Sequence, residues 1–308
     1  MRGIVYKSTG SWYSVKDDSG KMWNARIKGI FKLDNITSSN PIAVGDVVDF
    51  EQEELKEQTV IITKIHDRKN YINRQSPRVK SQQHIIAANI DQSLLIATIK
   101  EPRTSQGFID RFLVACEMYH VPAIILFNKT DLYKEKDMAK FEMMKQVYER
   151  IGYKVAGISL KHGQNIDDIK ELLTQKITLV SGHSGVGKST FINSIVPDAT
   201  IKTQNISGWS GKGQHTTTFA EMYELDFGGK IIDTPGMKEF GLTGVERHEL
   251  SGYFPEMRER INDCQFNNCL HINEPGCAVK QGVIDGKIDE ERYISYYNIL
   301  ESIPGQTW

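Results

Sequence analysis

A segment near the middle of the chain, residues 182–189, has the glycines, lysine and hydroxyl of a phosphate-binding loop. Its sequence, Gly-His-Ser-Gly-Val-Gly-Lys-Ser, fits the P-loop pattern G-x-x-x-x-G-K-[ST] without mismatch. An apolar run precedes it at residues 177–180, and residues 190–196 continue as a helical pattern. Glycines allow successive backbone N–H groups to surround an anion, and a helix N-terminus adds partial positive charge. We therefore predict a strand, a phosphate-binding loop and a helix.

Each position of this loop has an expected role. Lys188 would reach the β- and γ-phosphates, and the Ser189 hydroxyl would bind Mg²⁺. The other predicted nucleotide contacts are their neighbours along the loop: Gly182, His183, Ser184, Gly185, Val186, Gly187 and Thr190.

The composition limits the possible functions. A chain of 308 residues suits two or three domains, and a formal net charge of −1 argues against a protein that coats DNA. Neither a signal peptide nor an apolar run of about 18 residues is evident. Four cysteines, three of them late in the chain, suit a reducing compartment and a metal site. We expect a cytoplasmic monomer that binds neither DNA nor a membrane.

The first domain, residues 1–72, is predicted to be a small β-barrel of the OB type. Its short β-rich runs lie at residues 3–7, 12–16, 22–27, 46–50 and 60–65. Trp12, Tyr13 and Trp23 can stack on nucleic-acid bases or pack the barrel, and packing is the favoured interpretation.

Basic residues dominate the segment that leaves this barrel. Asp67 is the only acidic residue in this segment, which has six basic ones: Lys64, Arg68, Lys69, Arg74, Arg78 and Lys80. Such a segment either contacts RNA phosphates or is a solvated linker, and both interpretations stay open. We assign residues 73–85 to a basic linker.

Residues 86–244 alternate between strand and helix patterns, which predicts a doubly wound α/β sheet. The predicted strands are 90–98, 123–127 and 153–158, and the predicted helices are 106–120, 137–151 and 164–174.

A guanine-recognition motif follows the second of these strands. Asn128, Lys129 and Asp131 have the spacing N-K-x-D. The aspartate can accept hydrogen bonds from guanine N1–H and N2–H₂, whereas adenine would leave the acid unpaired. Ser159 lies just after the next strand. It belongs to a further loop, whose backbone N–H would contact guanine O6.

Two metal-binding and phosphate-sensing segments follow the P-loop helix. Asp233 and Gly236 match D-x-x-G after a predicted hairpin at residues 219–232. Asp233 would hold Mg²⁺, and the Gly236 amide would meet the γ-phosphate. Threonines 216–218 lie in a preceding polar loop, and Thr217 is assigned to Mg²⁺.

Four soft ligands lie close together near the C-terminus. Cys264, Cys269, His271 and Cys277 fall within fourteen residues. A Cys₃His set is typical of a closed structural Zn²⁺ site, without a position for a catalytic water. We expect residues 245–308 to form a helical zinc-binding domain, with helices at 247–260 and 289–302.

The motif order is unusual, because N-K-x-D precedes the P-loop and D-x-x-G. This order, the segment Gly-Lys-Gly-Gln-His-Thr-Thr-Thr at 211–218 and the Cys₃His cluster resemble the circularly permuted GTPases, specifically the ribosome small-subunit-dependent GTPase A (RsgA) family. The resemblance implies a barrel, a permuted GTPase and a zinc domain. It implies binding of GTP or GDP with Mg²⁺, and of the 30S subunit and its 16S rRNA. It also implies a role in late maturation of that subunit, which stimulates hydrolysis.

The group that orients the attacking water is not given by a standard motif. Met237 follows Gly236, where many GTPases carry glutamine. His215 is the local candidate for a general base, or else an exposed loop histidine. Gln214 stands where many relatives carry arginine.

Two other classes of function compete with this one. The first is a GTP-gated RNA-binding scaffold in which hydrolysis is incidental. The second is a P-loop kinase, against which N-K-x-D and D-x-x-G argue.

Overall fold

The computed structural model describes residues 1–27, 41–52, 59–75, 83–196, 219–234, 242 and 244–304. None of the helices in this described part combines the length and the apolar composition that crossing a bilayer requires.

The N-terminal region is a closed five-stranded barrel, as predicted. Its strands run in the order β1-β2-β3-β5-β4, and β4 pairs back with β1. The strands are β1 Arg2–Ser8, β2 Tyr13–Asp17, β3 Met22–Ile27, β4 Val47–Gln52 and β5 Thr59–Ile65.

The barrel aromatics have different environments. Tyr13 and Trp23 are buried, and the Trp23 indole N–H donates to Asp17 Oδ2 at 2.7 Å. Trp12 is 47% exposed, so its predicted place in the core is wrong. Trp12 comes just before β2, outside the alternation that turns every second side chain of that strand inward.

The ends of the predicted basic linker belong to a two-stranded antiparallel sheet, formed by β6 Tyr71–Gln75 and β7 Gln83–Ala88. The strands overlap both ends of the segment that was assigned to the linker, at residues 73–75 and 83–85. Buried Ile72 and Ala87 supply the apolar contacts that make this pairing favourable. Arg68 is engaged inside the fold, because its Nε and Nη2 donate to the buried Asp46 carboxylate at 2.6 and 2.7 Å.

The second region is the predicted doubly wound sheet. Strands β10-β9-β8-β11-β13 are parallel, and β12 is antiparallel at the edge that meets β1. The elements are β8 Gln92–Ala97, α1 Gln106–Met118, β9 Ala123–Phe127, α2 Glu135–Arg150, β10 Lys154–Gly157, α3 Ile166–Leu173, β11 Ile177–Ser181, α4 Lys188–Ile195, β12 Glu221–Glu224 and β13 Lys230–Asp233.

Two apolar clusters cover this sheet, one on each face. Helices α1 and α2 pack on the face that carries Leu95, and α3 and α4 pack on the face that carries Leu94 and Ile96. Burial of β9 on both faces explains why its sequence is a continuous apolar run.

The C-terminal region differs from its prediction at residues 247–260. In place of one helix, a 3₁₀ turn at Leu250–Tyr253 is followed by the short α5 Pro255–Arg258. Pro255 lacks an N–H and holds Phe254 in an extended conformation, which separates the two turns. The last predicted helix is confirmed as α7 Glu290–Ser302, and α6 Ala278–Ile284 was not predicted.

A buried ion network fastens α7 to α1 and α5. Arg292 on α7 is 1% exposed and donates to Asp110 on α1 at 2.8 Å and to Glu256 on α5 at 2.7 and 3.0 Å. The Tyr148 hydroxyl of α2 also donates to Asp110 at 2.7 Å. Burial raises the pKa of the Asp110 carboxyl, and the Arg292 cation opposes that rise.

We expect Arg292→Met to lower the free energy of unfolding by about 3–5 kcal/mol, because two buried carboxylates lose their cation. The control is Arg258→Met, whose partly exposed pair with Glu117 contributes about 1 kcal/mol or less. Urea unfolding followed by circular dichroism measures both. Equal losses in the two variants would show that the buried network has no special role.

Candidate nucleotide and metal sites

The P-loop connects the end of β11 to the start of α4 at Lys188. Gly187 has φ +99°, and a Cβ at this position would overlap the side-chain amide of Asn128. Glycine is therefore required here both by backbone conformation and by space. This loop and helix start confirm the strand–loop–helix context that the sequence indicated.

Asn128 joins the guanine motif to the P-loop. Its side chain is buried, and Nδ2 donates to the carbonyl oxygen of Val186 at 2.8 Å. The N–H of Leu160, next to Ser159, donates to Asn128 Oδ1 at 3.4 Å. The three segments follow β9, β10 and β11, and they meet at one edge of the sheet, where the neighbouring strands β10, β9, β8 and β11 end.

Asp131 is oriented by the fully buried Ser159. The Ser159 hydroxyl donates to Asp131 Oδ1 at 2.7 Å, which leaves Oδ2 as the less engaged oxygen. His162 Nε2 lies 3.9 Å from that Oδ2 atom. Sequence reasoning assigned only a backbone role to Ser159 and missed this side-chain contact. Lys129 has a left-handed backbone, and its ammonium donates to the carbonyl of Glu101.

Lys188 and Asp233 adjoin each other. The Lys188 ammonium contacts the Asp233 carboxylate and the Thr234 carbonyl. Parallel pairing of β11 with β13 sets Val180 opposite Asp233 and so brings this acid to the P-loop edge. Ser189 is the second residue of α4. A hydroxyl and a carboxylate are the oxygen ligands that Mg²⁺ prefers, so Ser189 and Asp233 are suitable residues to hold it.

Several predicted residues lie outside the part that the structure describes: Thr217, His215, Gly236, Met237 and Gln214. His183, within the P-loop, directs its ring to Thr104, with Nε2 at 2.7 Å from the hydroxyl oxygen. Thr104 belongs to no phosphate or guanine motif, so no sequence pattern indicated it.

The Cys₃His cluster is assembled. The ligand atoms of Cys264, Cys269, His271 and Cys277 all lie within 4.8 Å of one another. His271 Nδ1 is 3.7 Å from Cys264 Sγ and 3.3 Å from Cys277 Sγ, so this nitrogen faces the sulfurs. Tetrahedral Zn²⁺ with its usual bond lengths separates such donors by about 3.5–3.8 Å. The four residues therefore fit one structural metal ion.

Glu274 supports the backbone around this cluster. Its carboxylate accepts the N–H groups of Leu270 and Ile272 at 2.8 Å and of Asn273 at 3.0 Å. Burial alone would raise the pKa of Glu274, but these backbone donors hold it below its usual value. The Tyr293 hydroxyl donates to the carbonyl of His271 at 2.6 Å, which fixes the histidine backbone.

Family models match two regions of the chain: "RsgA GTPase" at residues 65–243 and "RsgA N-terminal domain" at residues 2–61. This chain belongs to the RsgA family. Members of this family are GTPases, so the chain is an enzyme that hydrolyses GTP. The identification made from the permuted motifs is confirmed.

Named relatives and solved structures agree with this family assignment. "Small ribosomal subunit biogenesis GTPase RsgA" of Christiangramia forsetii is 50% identical over 98% of this chain and 96% of that protein. The protein of the same description from Flavobacterium psychrophilum is 52% identical over 98% and 93%. Among solved structures, YjeQ from Thermotoga maritima has a TM-score of 0.79 at 33% identity, covering 99% of both chains. YloQ, described as a circularly permuted GTPase, has a TM-score of 0.74 at 32% identity, covering 98% of this chain and 94% of its own.

We expect Asp131→Asn to change the base preference from guanine to xanthine. The introduced amide keeps an oxygen for the Ser159 hydroxyl but replaces the other carboxylate oxygen with an N–H₂ group. That donor opposes guanine N2–H₂ and suits the C2 carbonyl of xanthine. GTP affinity should fall by about 100-fold or more while XTP affinity rises, as measured by competition against a fluorescent nucleotide.

The control for this exchange is Asp167→Asn, an exposed acid on the neighbouring helix α3, which should change neither affinity. A variant Asp131→Asn that still preferred GTP would remove this residue from base recognition.

We expect the purified chain to carry one equivalent of zinc, and Cys269→Ser to lower both the metal content and the melting temperature, because a serine hydroxyl is a poor Zn²⁺ ligand. Elemental analysis and calorimetry measure these quantities. Cys116→Ala is the control, since Cys116 is a buried free thiol of α1. This variant should retain the metal. Equal metal content in wild type and Cys269→Ser would contradict the assignment.

Proposed function

We propose that this chain hydrolyses GTP while bound to the small ribosomal subunit, as a factor in its late maturation, and that the subunit stimulates turnover. The observation that carries the proposal is the Asn128–Val186 hydrogen bond. It supports a single shared site, because it joins the N-K-x-D segment to the P-loop although the chain visits them in permuted order. The named relatives, described as small ribosomal subunit biogenesis GTPases, supply the partner.

The proposed nucleotide contacts are the motif residues. Asp131 reads the base with Ser159 beside it, and the Lys129 ammonium contacts the carbonyl of Glu101. The P-loop residues bind the phosphates, and the Gly236 amide meets the γ-phosphate. The full set is Asn128, Lys129, Asp131, Ser159, Gly182, His183, Ser184, Gly185, Val186, Gly187, Lys188, Ser189, Thr190, Asp233 and Gly236.

Two metals have different roles in the proposal. Mg²⁺, held by Ser189, Thr217 and Asp233, neutralises charge on the phosphates when it is bound. Zn²⁺ at Cys264, Cys269, His271 and Cys277 is structural, because four protein ligands leave no open position. The proposal includes a cytoplasmic location, where thiolate ligands stay reduced, and a monomeric enzyme.

The barrel is the proposed contact with 16S rRNA. The exposed ring of Trp12 offers a face on which a base can stack. On the same barrel the Lys21 ammonium lies 3.7 Å from the centre of the Trp23 ring. An exposed aromatic together with surface cations is the combination that single-stranded RNA binding uses.

Steady-state GTP hydrolysis with and without purified 30S subunits tests the proposal. We expect stimulation of about tenfold or more, because the chain lacks glutamine after Gly236 and a partner must complete the water-positioning arrangement. ATP should not be hydrolysed under the same conditions. Lys188→Ala should abolish GTP hydrolysis both with and without the subunits. Equal turnover with and without subunits would favour the GTP-gated scaffold instead.

The same assay examines His215, which we propose orients the attacking water. His215→Ala should lose most of the stimulated turnover while GTP affinity stays unchanged. Normal stimulated turnover in this variant would remove His215 from the mechanism.

A further inference from the structure

The loop between β8 and α1, residues 100–105, lies against the P-loop. Pro102 Cδ is 3.3 Å from the position that a Cβ on Gly185 would take. The carbonyl of Glu101 accepts a hydrogen bond from the Lys129 ammonium. This loop therefore touches both the phosphate-binding and the guanine-binding segments, although it carries no motif for either.

Thr104 makes the most specific contact of the loop. Its side chain is buried, with 6% exposed, and Oγ1 accepts the backbone N–H of Thr98 at 2.9 Å. The same oxygen lies 2.7 Å from Nε2 of His183, a residue of the P-loop. A hydroxyl has one hydrogen to donate and two lone pairs, so these two contacts nearly use its capacity.

The partners of His183 define its tautomer. Its Nδ1 lies 3.2 Å from the carbonyl oxygen of Ser184, and a carbonyl can only accept, so Nδ1 carries a hydrogen. In a neutral imidazole Nε2 is then the acceptor, and the Thr104 hydroxyl donates to it. Phe108 packs edge-on against this ring, with centroids 5.4 Å apart, and burial lowers the pKa of His183, which favours the neutral form.

This arrangement determines the direction of one P-loop peptide. In a trans peptide the carbonyl and the following N–H point in opposite directions. Holding the Ser184 carbonyl on the His183 ring therefore turns the Gly185 N–H to the other side, where the P-loop pattern predicts a phosphate oxygen. A loop with three glycines would otherwise sample many conformations, and ordering it would reduce affinity.

We propose that Thr104 is a positioning residue of the nucleotide site. Acting through the neutral Nδ1–H tautomer of His183, it holds the P-loop backbone ready for the phosphates. The inference rests on the proposed phosphate-binding role of residues 182–189, and it adds a residue that contacts no nucleotide itself.

Binding of fluorescent GDP is the first test. Thr104→Val keeps the side-chain shape but removes the hydroxyl, and should weaken affinity by about tenfold. Thr104→Ser keeps the hydroxyl and should bind within about twofold of wild type. The matched control is Thr178→Val on β11, which also removes a buried hydroxyl, one that accepts from Gln92 at 2.9 Å, at the far end of the strand from the P-loop. Its affinity should be unchanged.

The second readout is the tautomer itself. Nitrogen-15 spectra of histidine-labelled protein distinguish protonated from unprotonated ring nitrogens, and His183→Gln identifies the resonances among the eight histidines. Wild type and Thr104→Ser should show a protonated Nδ1 and an unprotonated Nε2. Thr104→Val should show a mixture of tautomers, because Nε2 has lost its donor.

Either of two results would overturn the inference: an unchanged tautomer and affinity in Thr104→Val, or an equal loss of affinity in Thr178→Val. Lys188→Ala separates this inference from the assignment on which it depends. If that variant binds GDP normally, the proposed phosphate site is wrong, whereas the tautomer readout needs no nucleotide.

Discussion

The hydrogen bond from Asn128 to the Val186 carbonyl is the constraint on which the nucleotide site depends. It is buried and short, and Gly187 must lack a side chain because the Asn128 amide occupies that space. Two segments separated by 58 residues are thereby fixed against each other. Parallel strands bring their carboxyl ends to one edge whatever the order in which the chain visits them. A permuted chain order is therefore compatible with the same loops meeting at that edge.

Helix α1 connects this site to the rest of the molecule. It begins at Gln106, directly after the loop that carries Thr104 against the P-loop. Four residues later Asp110 enters the buried network with Arg292 of α7, in the region that contains the Cys₃His cluster. A displacement of α1 would alter both contacts. The barrel is further tied to the sheet by the pairing of β1 with β12.

Local patterns account for what the sequence predicted well. Short β-rich runs located the five barrel strands, an apolar run located the buried strand β9, and glycine spacing with flanking elements located the P-loop. The Cys₃His cluster was equally local, since its ligands lie within fourteen residues. Recognition of a family from permuted motif order added the arrangement of the domains.

Contacts between distant residues account for what was missed. Asp110 and Arg292 are 182 residues apart, and Thr104 and His183 are 79 apart, so no window of sequence contains either pair. The pairing of β6 with β7 depended on Ile72 and Ala87 being buried against other elements, which the basic composition of the segment concealed. The break within residues 247–260 has a local cause, because Pro255 cannot continue a helix that begins before it.

The central claim is that one nucleotide spans the Asp131 pocket and the Lys188 loop. A crystal structure of the chain with a non-hydrolysable GTP analogue and Mg²⁺ tests it most directly. The account predicts one bound molecule, with guanine N1 and N2 within hydrogen-bonding distance of the Asp131 carboxylate and the β- and γ-phosphates on Lys188. A nucleotide that contacts one of these residues and leaves the other facing a separate cleft would contradict it.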